Sequence, residues 1–451
     1  MTKPSQKMGK IFQSLWKKAL FIALFVLVVA GCEAIPIEVD LPWFNQTPQA
    51  PDETRVPNPD DNPIEGPLTF DPTPVGQPET VSQMILWLMP ELDPNAETPA
   101  GKTLRDRLDL FARDNNVEVV TRVKADGGVG GLLDSLSSTH LAAPQFLPDL
   151  VMLNREQLLG AVGKDLVYAP ATMQARLESA DWYPAGLSNV SVNGVSFGIP
   201  IGLNPLVMAY DSATQIPPAN EWSAIVTNPG RLGFAADDPE ARFMTLLYLS
   251  VGGKLEDDLQ RPQLELEPLT NALLLLDEAE AAKHISVLSL DYETDKQVWD
   301  AFNAWSVNKA IIPLSYVLGN PSTDQATLPP KPALTMPEIT LADGTLWAIT
   351  RNEPERMELA QKLLEALSEP SFLAKWSTDL NCVPARSSAV TLLEYPALKP
   401  FVDKIALASV LYPDQAIVEK IGPVLRNAMR VVLQDGGDPA EVAAAAVESV
   451  R

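Results

Sequence analysis

The chain is 451 residues long and carries a formal net charge of −24, from 58 acidic against 34 basic residues. A surface this acidic repels phosphate backbones, which excludes nucleic acid as a partner and argues against charge-driven binding to anionic lipid. Only two cysteines occur, too few for a disulfide framework and none left to pair if one of them is modified, so stability must come from apolar burial, which a chain of this length can supply.

Residues 1–31 read as an address rather than as part of a fold. Lys3, Lys7, Lys10, Lys17 and Lys18 form a positive leader, and no acid precedes Glu33. Ala19 to Ala30 is continuously apolar. As a helix rising ~1.5 Å per residue this run is about 18 Å long, short of a hydrocarbon core of about 30 Å. The run ends at Val29-Ala30-Gly31-Cys32, which resembles the lipobox of bacterial lipoproteins. The resemblance implies that Cys32 becomes the lipidated N-terminus of the mature chain, at the cell membrane on its extracytoplasmic face. An uncleaved signal anchor is the alternative, and both readings put the remainder outside the cytoplasm. Without the five leader lysines the balance is 29 basic against 58 acidic residues, or −29. The lipid, at roughly 0.8 kcal/mol per buried methylene, then supplies the attachment that charge cannot.

Residues 32–80 combine the lipidated cysteine with a proline-rich, disordered stalk, as in PWFNQTPQAPDETRVPNPDDNPIEGP. No apolar period recurs there from which a core could form. In polyproline geometry, at about 3.1 Å per residue, the stalk reaches at most about 150 Å.

Order begins at Val81. SQMILWLM reads as a buried strand, TLRDRLDLFARDN as a helix with Leu104, Leu108 and Phe111 on one face, VEVVTRV as a strand, GGLLDSLSSTHL as a helix and PDLVML as another buried strand. Strands alternating with helices predict an α/β architecture with a parallel sheet, whose ligands sit beyond the carboxyl ends of the strands. Met89-Pro90-Glu91 and Asn154-Arg155 occupy such places. Further on, ARFMTLLYLSVGG reads as a buried helix capped at Gly252-Gly253. ERMELAQKLLEAL sets Met357, Ala360, Leu363, Leu364 and Leu367 at helical spacing, and Pro370 opens the next helix. Two amphipathic helices flank the break DGGDP at 435–439. About 370 ordered residues exceed a usual single core, so two lobes are expected.

In order and spacing, GGVGGLLDSLSS, PDLVML, DWYPAGLSNVSVNGVSFGIPIGLNPLVMAYD, VGGKL, AFNAWSVNKAIIPLSYVL and the stretch from AITRNEPERM to NCVPARSSAV resemble the extracellular solute-binding proteins of bacterial ABC importers, the group of maltose-binding protein. The resemblance implies a two-lobe periplasmic-binding-protein-like fold of type II, with a hinge and an interlobe cleft. The first lobe would comprise 81–208 and 349–382, the second 212–345 and 386–451. It also implies a lipid-anchored receptor, acting as a monomer, that passes a small solute, most commonly a sugar or oligosaccharide, to the importer's permease subunits. Family positions point to Pro90, Glu91, Asn154, Asn204, Ser315 and Tyr316 as solute contacts. Tyr316 would offer a flat face to a sugar ring, and Glu91, Asn154 and Asn204 hydrogen bonds to hydroxyls. Each has a structural alternative: Asn154 as a helix cap, Pro90 as a strand end, Tyr316 as core. Trp347 lies a position or two later than the family's cleft aromatic, so on an alternating strand it would face the core.

His140 and His284 lie far apart in sequence without metal spacing, GGVGG lacks the Lys-Ser/Thr of a phosphate loop, and neither GxSxG nor SxxK occurs. No enzyme, metal or cofactor is therefore expected. The alternative to a transport receptor is a surface-anchored sensor or interaction protein that keeps the fold without transport.

Overall fold

The computed structural model describes residues 82–212, 220–319, 332–335, 337–393 and 399–450. The leader, Cys32 and the proline-rich stretch lie outside the described residues. Among the described residues no helix is long and apolar enough to cross a membrane.

The first half alternates as the sequence predicts. β1 (Gln83–Leu88) is followed by α1 (Pro99–Asn115), β2 (Glu118–Val123), α2 (Leu132–Ala142), β3 (Leu150–Asn154) and α3 (Arg155–Val162). α1 starts a turn earlier than its apolar period indicates. The Thr98 hydroxyl accepts the Gly101 amide at 3.0 Å and Pro99 takes the first helical position, which together set the start. Leu104, Leu108 and Phe111 form its buried face. Short helices α4 (Ala171–Leu177) and α5 (Pro184–Val190) and the hairpin of β4 (Ser191–Val192) and β5 (Val195–Ser196) then lead into β6 (Ile199–Asp211).

The second half holds α6 (Trp222–Thr227), β7 (Leu232–Gly233), α7 (Arg242–Ser250), α8 (Leu266–Ala281), α9 (Asp295–Asn303), β8 (Lys309–Pro313), α10 (Leu314–Leu318), β9 (Pro332–Leu334) and β10 (Thr340–Ile349). The chain closes with α11 (Pro354–Leu367), α12 (Pro370–Leu380), β11 (Val383–Pro384), α13 (Ser387–Leu392), α14 (Lys399–Ala408), β12 (Ser409–Leu411), α15 (Gln415–Asp435) and α16 (Pro439–Val450).

The strands form a mixed sheet in the order β2-β1-β3-β10-β6-β8-β7, with β9 and β11 also pairing β6 and β12 pairing β10. β1 runs parallel to β2 and β3, and β10 runs antiparallel to β3 and β6. β6 does the joining. Its first half, Ile199–Pro205, pairs with β10, and its second, Leu206–Tyr210, with β8. β10 does likewise, pairing β12 through Thr340–Ala342 and β3 through Thr345–Ile349.

Two apolar clusters flank these crossings, and this is the two-lobe α/β fold that the sequence implies. The first gathers β1, β3, α1–α5, α11 and α12, and also α9 and α10, which the sequence reading set in the second lobe; the second gathers α6, α7, α8, α15 and α16. On β6, Leu206, Met208 and Tyr210 join the second cluster while Val207 and Ala209 join the first; on β8, Ile311 faces one way and Ala310 and Ile312 the other. A strand buried on both faces reads as an unbroken apolar run, and the period of two shows only in which core each residue enters. Trp347 is 1% exposed and belongs to the first core, as its offset indicates. The sequence reading set everything from 386 onward in one lobe. Phe401, Val402, Ile405 and Ala406 of α14 instead pack with the first cluster, and the chain passes to the second through β12.

The segment VPARSS has a specific task. The Asp181 carboxylate accepts hydrogen bonds from the Ser388 amide at 2.7 Å, from both serine hydroxyls and from Arg386 Nε at 2.6 Å. Burial opposes ionisation of Asp181, but these donors outweigh it and hold the carboxyl near 2. Arg386 also lies over the Trp182 ring, 4.8 Å from its centroid.

Lys309 is wholly buried on β8, where its Nζ donates to the Ile225 and Asn228 carbonyls at the end of α6. Burial lowers it to about 8. Between that value and its unfolded one near 10.5 the unfolded chain holds the extra proton, so stability rises with pH there. Lys309 is expected to contribute roughly 1–2 kcal/mol of added stability between pH 8 and 9.5, against which the raised Cys382 thiol works over the same range. Lys309→Met should lack that rise in denaturant titrations; an unchanged pH slope in the variant would refute the assignment.

Candidate functional site

A cavity of about 650 Å³ opens where β6 and β10 pass between the two cores. First-lobe elements supply one wall from the ends of strands: Met89, Glu91 and Leu92 after β1, Asp126 after β2, and Asn154, Arg155 and Glu156 at β3–α3. The facing wall comes from Glu240 ahead of α7 and Tyr412 to Gln415 leading into α15, with Ser315 on α10, whose Leu314 and Val317 pack in the first cluster. The floor is the crossing pair itself, Gly202-Leu203-Asn204 on β6 beside Ala342 to Thr345 on β10.

Glu91, Asn154, Asn204 and Ser315 thus meet at one cleft. Two of them spend their amides locally. Asn154 caps α3 in a capping box, accepting the Gln157 amide at 2.9 Å while Gln157 Oε1 accepts the Asn154 amide. Asn204 receives the Ser315 amide at 3.0 Å and donates to the Ser315 hydroxyl at 3.1 Å, tying β6 to the start of α10. The other two expected contacts do not line the cavity. Pro90 is exposed at the start of a single turn, Pro90–Leu92. Tyr316 turns away and lies against Trp299, ring centroids 6.4 Å apart. Tyr412 is the aromatic side chain in the described lining.

The electrostatics rest on residues the sequence reading did not single out. Asp343 sits opposite Asn204 in the β6–β10 ladder and points into the cleft, open to water but walled by protein. Burial pushes its carboxyl up, against the pull of Arg242, and Asp238 pushes the same way. Glu240 is raised by burial, with Asp238, Asp343 and Glu156 adding to the effect of burial and Arg242 opposing it. Arg242 lies behind them, paired at 2.8 Å with both Asp238 and Asp295. Burial opposes its charge, yet Asp295 and Asp238 raise it above the ordinary guanidinium range. The Tyr412 hydroxyl is buried beside this group, meets no protein partner, and is pushed well up by burial. An aspartate beside a glycine within TLADGTLWAI is the signal that was there to find, because a charge inside an otherwise apolar strand needs a reason.

Arg155 bridges the walls, donating to the Ser191 carbonyl at 2.6 Å and pairing with Asp414 at 3.4 Å. Cys382 also borders the cavity, its sulfur against Gly202, and burial lifts its thiol to about 11. The thiolate a nucleophile needs is therefore disfavoured.

A family model of bacterial extracellular solute-binding proteins matches residues 107–401. The chain belongs to this family. Several solved structures share the fold. Maltose-bound MalE3 of T. maritima matches at TM-score 0.59 and 14% identity, covering 82% of this chain and 98% of that one. The cyclic alpha-maltosyl-1,6-maltose binding protein of Arthrobacter globiformis matches at 0.62 and 15%, covering 82% and 98%. The GacH receptor of Streptomyces glaucescens, solved unliganded and with acarbose, matches at 0.58 and 15%, covering 83% and 98%. Comparison with curated proteins returns no match. This solute-binding protein shares its two-lobe fold with these chains.

Gly344 tests how tightly the floor is built. A methyl there would stand 2.7 Å from Asn189 Nδ2, and Asn189 is wholly buried. Gly344→Ala is expected to cost about 1–3 kcal/mol in chemical unfolding. Adding Asn189→Ser should recover most of the loss; a neutral Gly344→Ala would show that the crossing has slack.

Proposed function

We propose that this protein is the solute receptor of a bacterial ABC importer. It is held by a lipidated Cys32 on the extracytoplasmic face of the cell membrane, and it closes two lobes on a small polyhydroxylated solute of the carbohydrate class. The observation that carries the reading is the 650 Å³ cavity at the strand crossings, lined by polar side chains from both lobes. A ligand favours a closed state only through contacts made better there than in the open one, and a lining drawn from both walls supplies such contacts. Family membership supports a solute-binding role. The carbohydrate class is supported by the maltose and acarbose complexes of proteins with this fold. Glu91, Asn154, Asn204 and Ser315 are the proposed contacts from the sequence, with Asp343, Glu240 and Tyr412 added by the geometry.

Two measurements test the reading. Thermal unfolding of the full-length chain against mono- and oligosaccharides, polyols, amino acids and peptides should yield a hit. A ligand at 100 times its dissociation constant adds about 2.7 kcal/mol of stability. Silence across the panel from a folded protein would favour a sensor or interaction role instead. Cys32→Ala should release the chain from the membrane fraction or block its processing; unchanged fractionation would refute the lipid anchor.

A further inference from the structure

The cavity lining is unbalanced in charge. Among the described residues six carboxylates border it, those of Glu91, Asp126, Glu156, Glu240, Asp343 and Asp414, against one guanidinium, that of Arg155. Arg155 is already committed to Asp414 and to the Ser191 carbonyl. Arg242 stands behind the cleft and is matched by Asp238 and Asp295. The capping box at the N-terminus of α3 engages the Asn154 and Gln157 amides, so what positive potential the helix offers comes from the Arg155 and Glu156 amides, a partial charge set against six carboxylates. A neutral solute would leave these carboxylates uncompensated as the lobes close and water leaves.

Two further observations bear on what would compensate them. Tyr412 borders the same cavity, and its hydroxyl, buried in the wall near Asp343 and Glu240, meets no protein partner, so a polar atom there is left unsatisfied. The carboxylates do not converge: among the described residues no group of three His, Cys, Asp or Glu side chains is placed to hold a metal ion. Charge spread along a cavity of this size fits an organic cation better than a bare ion. The lining also offers little flat apolar surface for ring stacking, since Tyr316 turns away and Tyr412 is the aromatic present among the described residues.

We infer that the solute carries at least one protonated amine, seated between Asp343 and Glu240 beside the Tyr412 hydroxyl. This deepens the solute-receptor reading and rests on it. An ammonium donates three hydrogen bonds and carries the charge the cleft lacks, whereas a sugar hydroxyl in the same place supplies one donor and no charge.

The test compares matched probes on the full-length protein by isothermal titration: the fully deacetylated β1,4 glucosamine dimer against cellobiose, which differs in bearing hydroxyls in place of the amines, with maltose and maltotriose as further neutral probes. The aminated dimer is expected to bind about tenfold to a hundredfold more tightly than cellobiose at low salt, the range for a hydrogen bond that gains a charged partner. The preference should shrink in 0.5 M sodium chloride and in Asp343→Asn and Glu240→Gln, variants that keep the side-chain shape while removing charge. A neutral probe binding as well as the aminated one overturns the amine inference and leaves the receptor reading standing. Binding of the aminated dimer that neither variant weakens overturns its seating. No binding by any probe counts against the amine inference and the carbohydrate class together.

Discussion

Everything in this protein that bears on ligand capture depends on two long strands lying side by side through both lobes. β6 and β10 exchange partners halfway along, so a single backbone ladder belongs to one core at one end and to the other core at the other. The register shift between Thr345 and Leu346 follows this exchange, inside the stretch of β10 that pairs β3. An extra twist there is the ordinary consequence of a bulge, and it re-aims the side chains that follow. Asn204 and Asp343 face each other across the ladder at the exchange of partners, which puts the floor of the cleft on the part of the fold that both lobes must share.

The cost of this arrangement is electrostatic. Asp343, Glu240, Asp238 and Asp295 gather round one guanidinium, and burial makes the first two harder to ionise than a free carboxylate. A fold selected for stability alone would not place charges there, because desolvation exceeds what an incomplete set of partners returns. Local departures from the most stable choice concentrate where a protein meets its ligand, and the unpartnered Tyr412 hydroxyl lies in the same place.

Most of the architecture was legible because each element carries a local signal. β1 and β3 announce themselves as short apolar runs, α1 by its stripe, and α12 by Pro370 at its start. The order of GIPIGLNPLVMAYD and VPARSS pointed to the family, and the structure gives physical reasons for both. The first is the crossing strand β6, and the second supplies the donors that hold Asp181. Individual cleft residues were harder to read. Asn204 and Asn154 are visible as polar residues at strand ends, but whether an amide points at a ligand or caps a helix depends on distances of an ångström or so. Tyr316 lies near Trp299 and is not among the residues that line the cavity; a helix of only Leu314–Leu318 leaves its rotation to tertiary packing. Asp343, Glu240 and Tyr412 come from three separate stretches of chain and converge only through the sheet.

The central claim is that a solute is held by both lobes at the strand crossing. Hydrogen–deuterium exchange on the full-length protein, with and without the tightest ligand found, tests it directly. The account predicts added protection at 202–205, 342–345 and 411–415 together with 154–157, reporting both walls and the floor at once. Protection confined to one lobe, or at a surface away from β6 and β10, would contradict it.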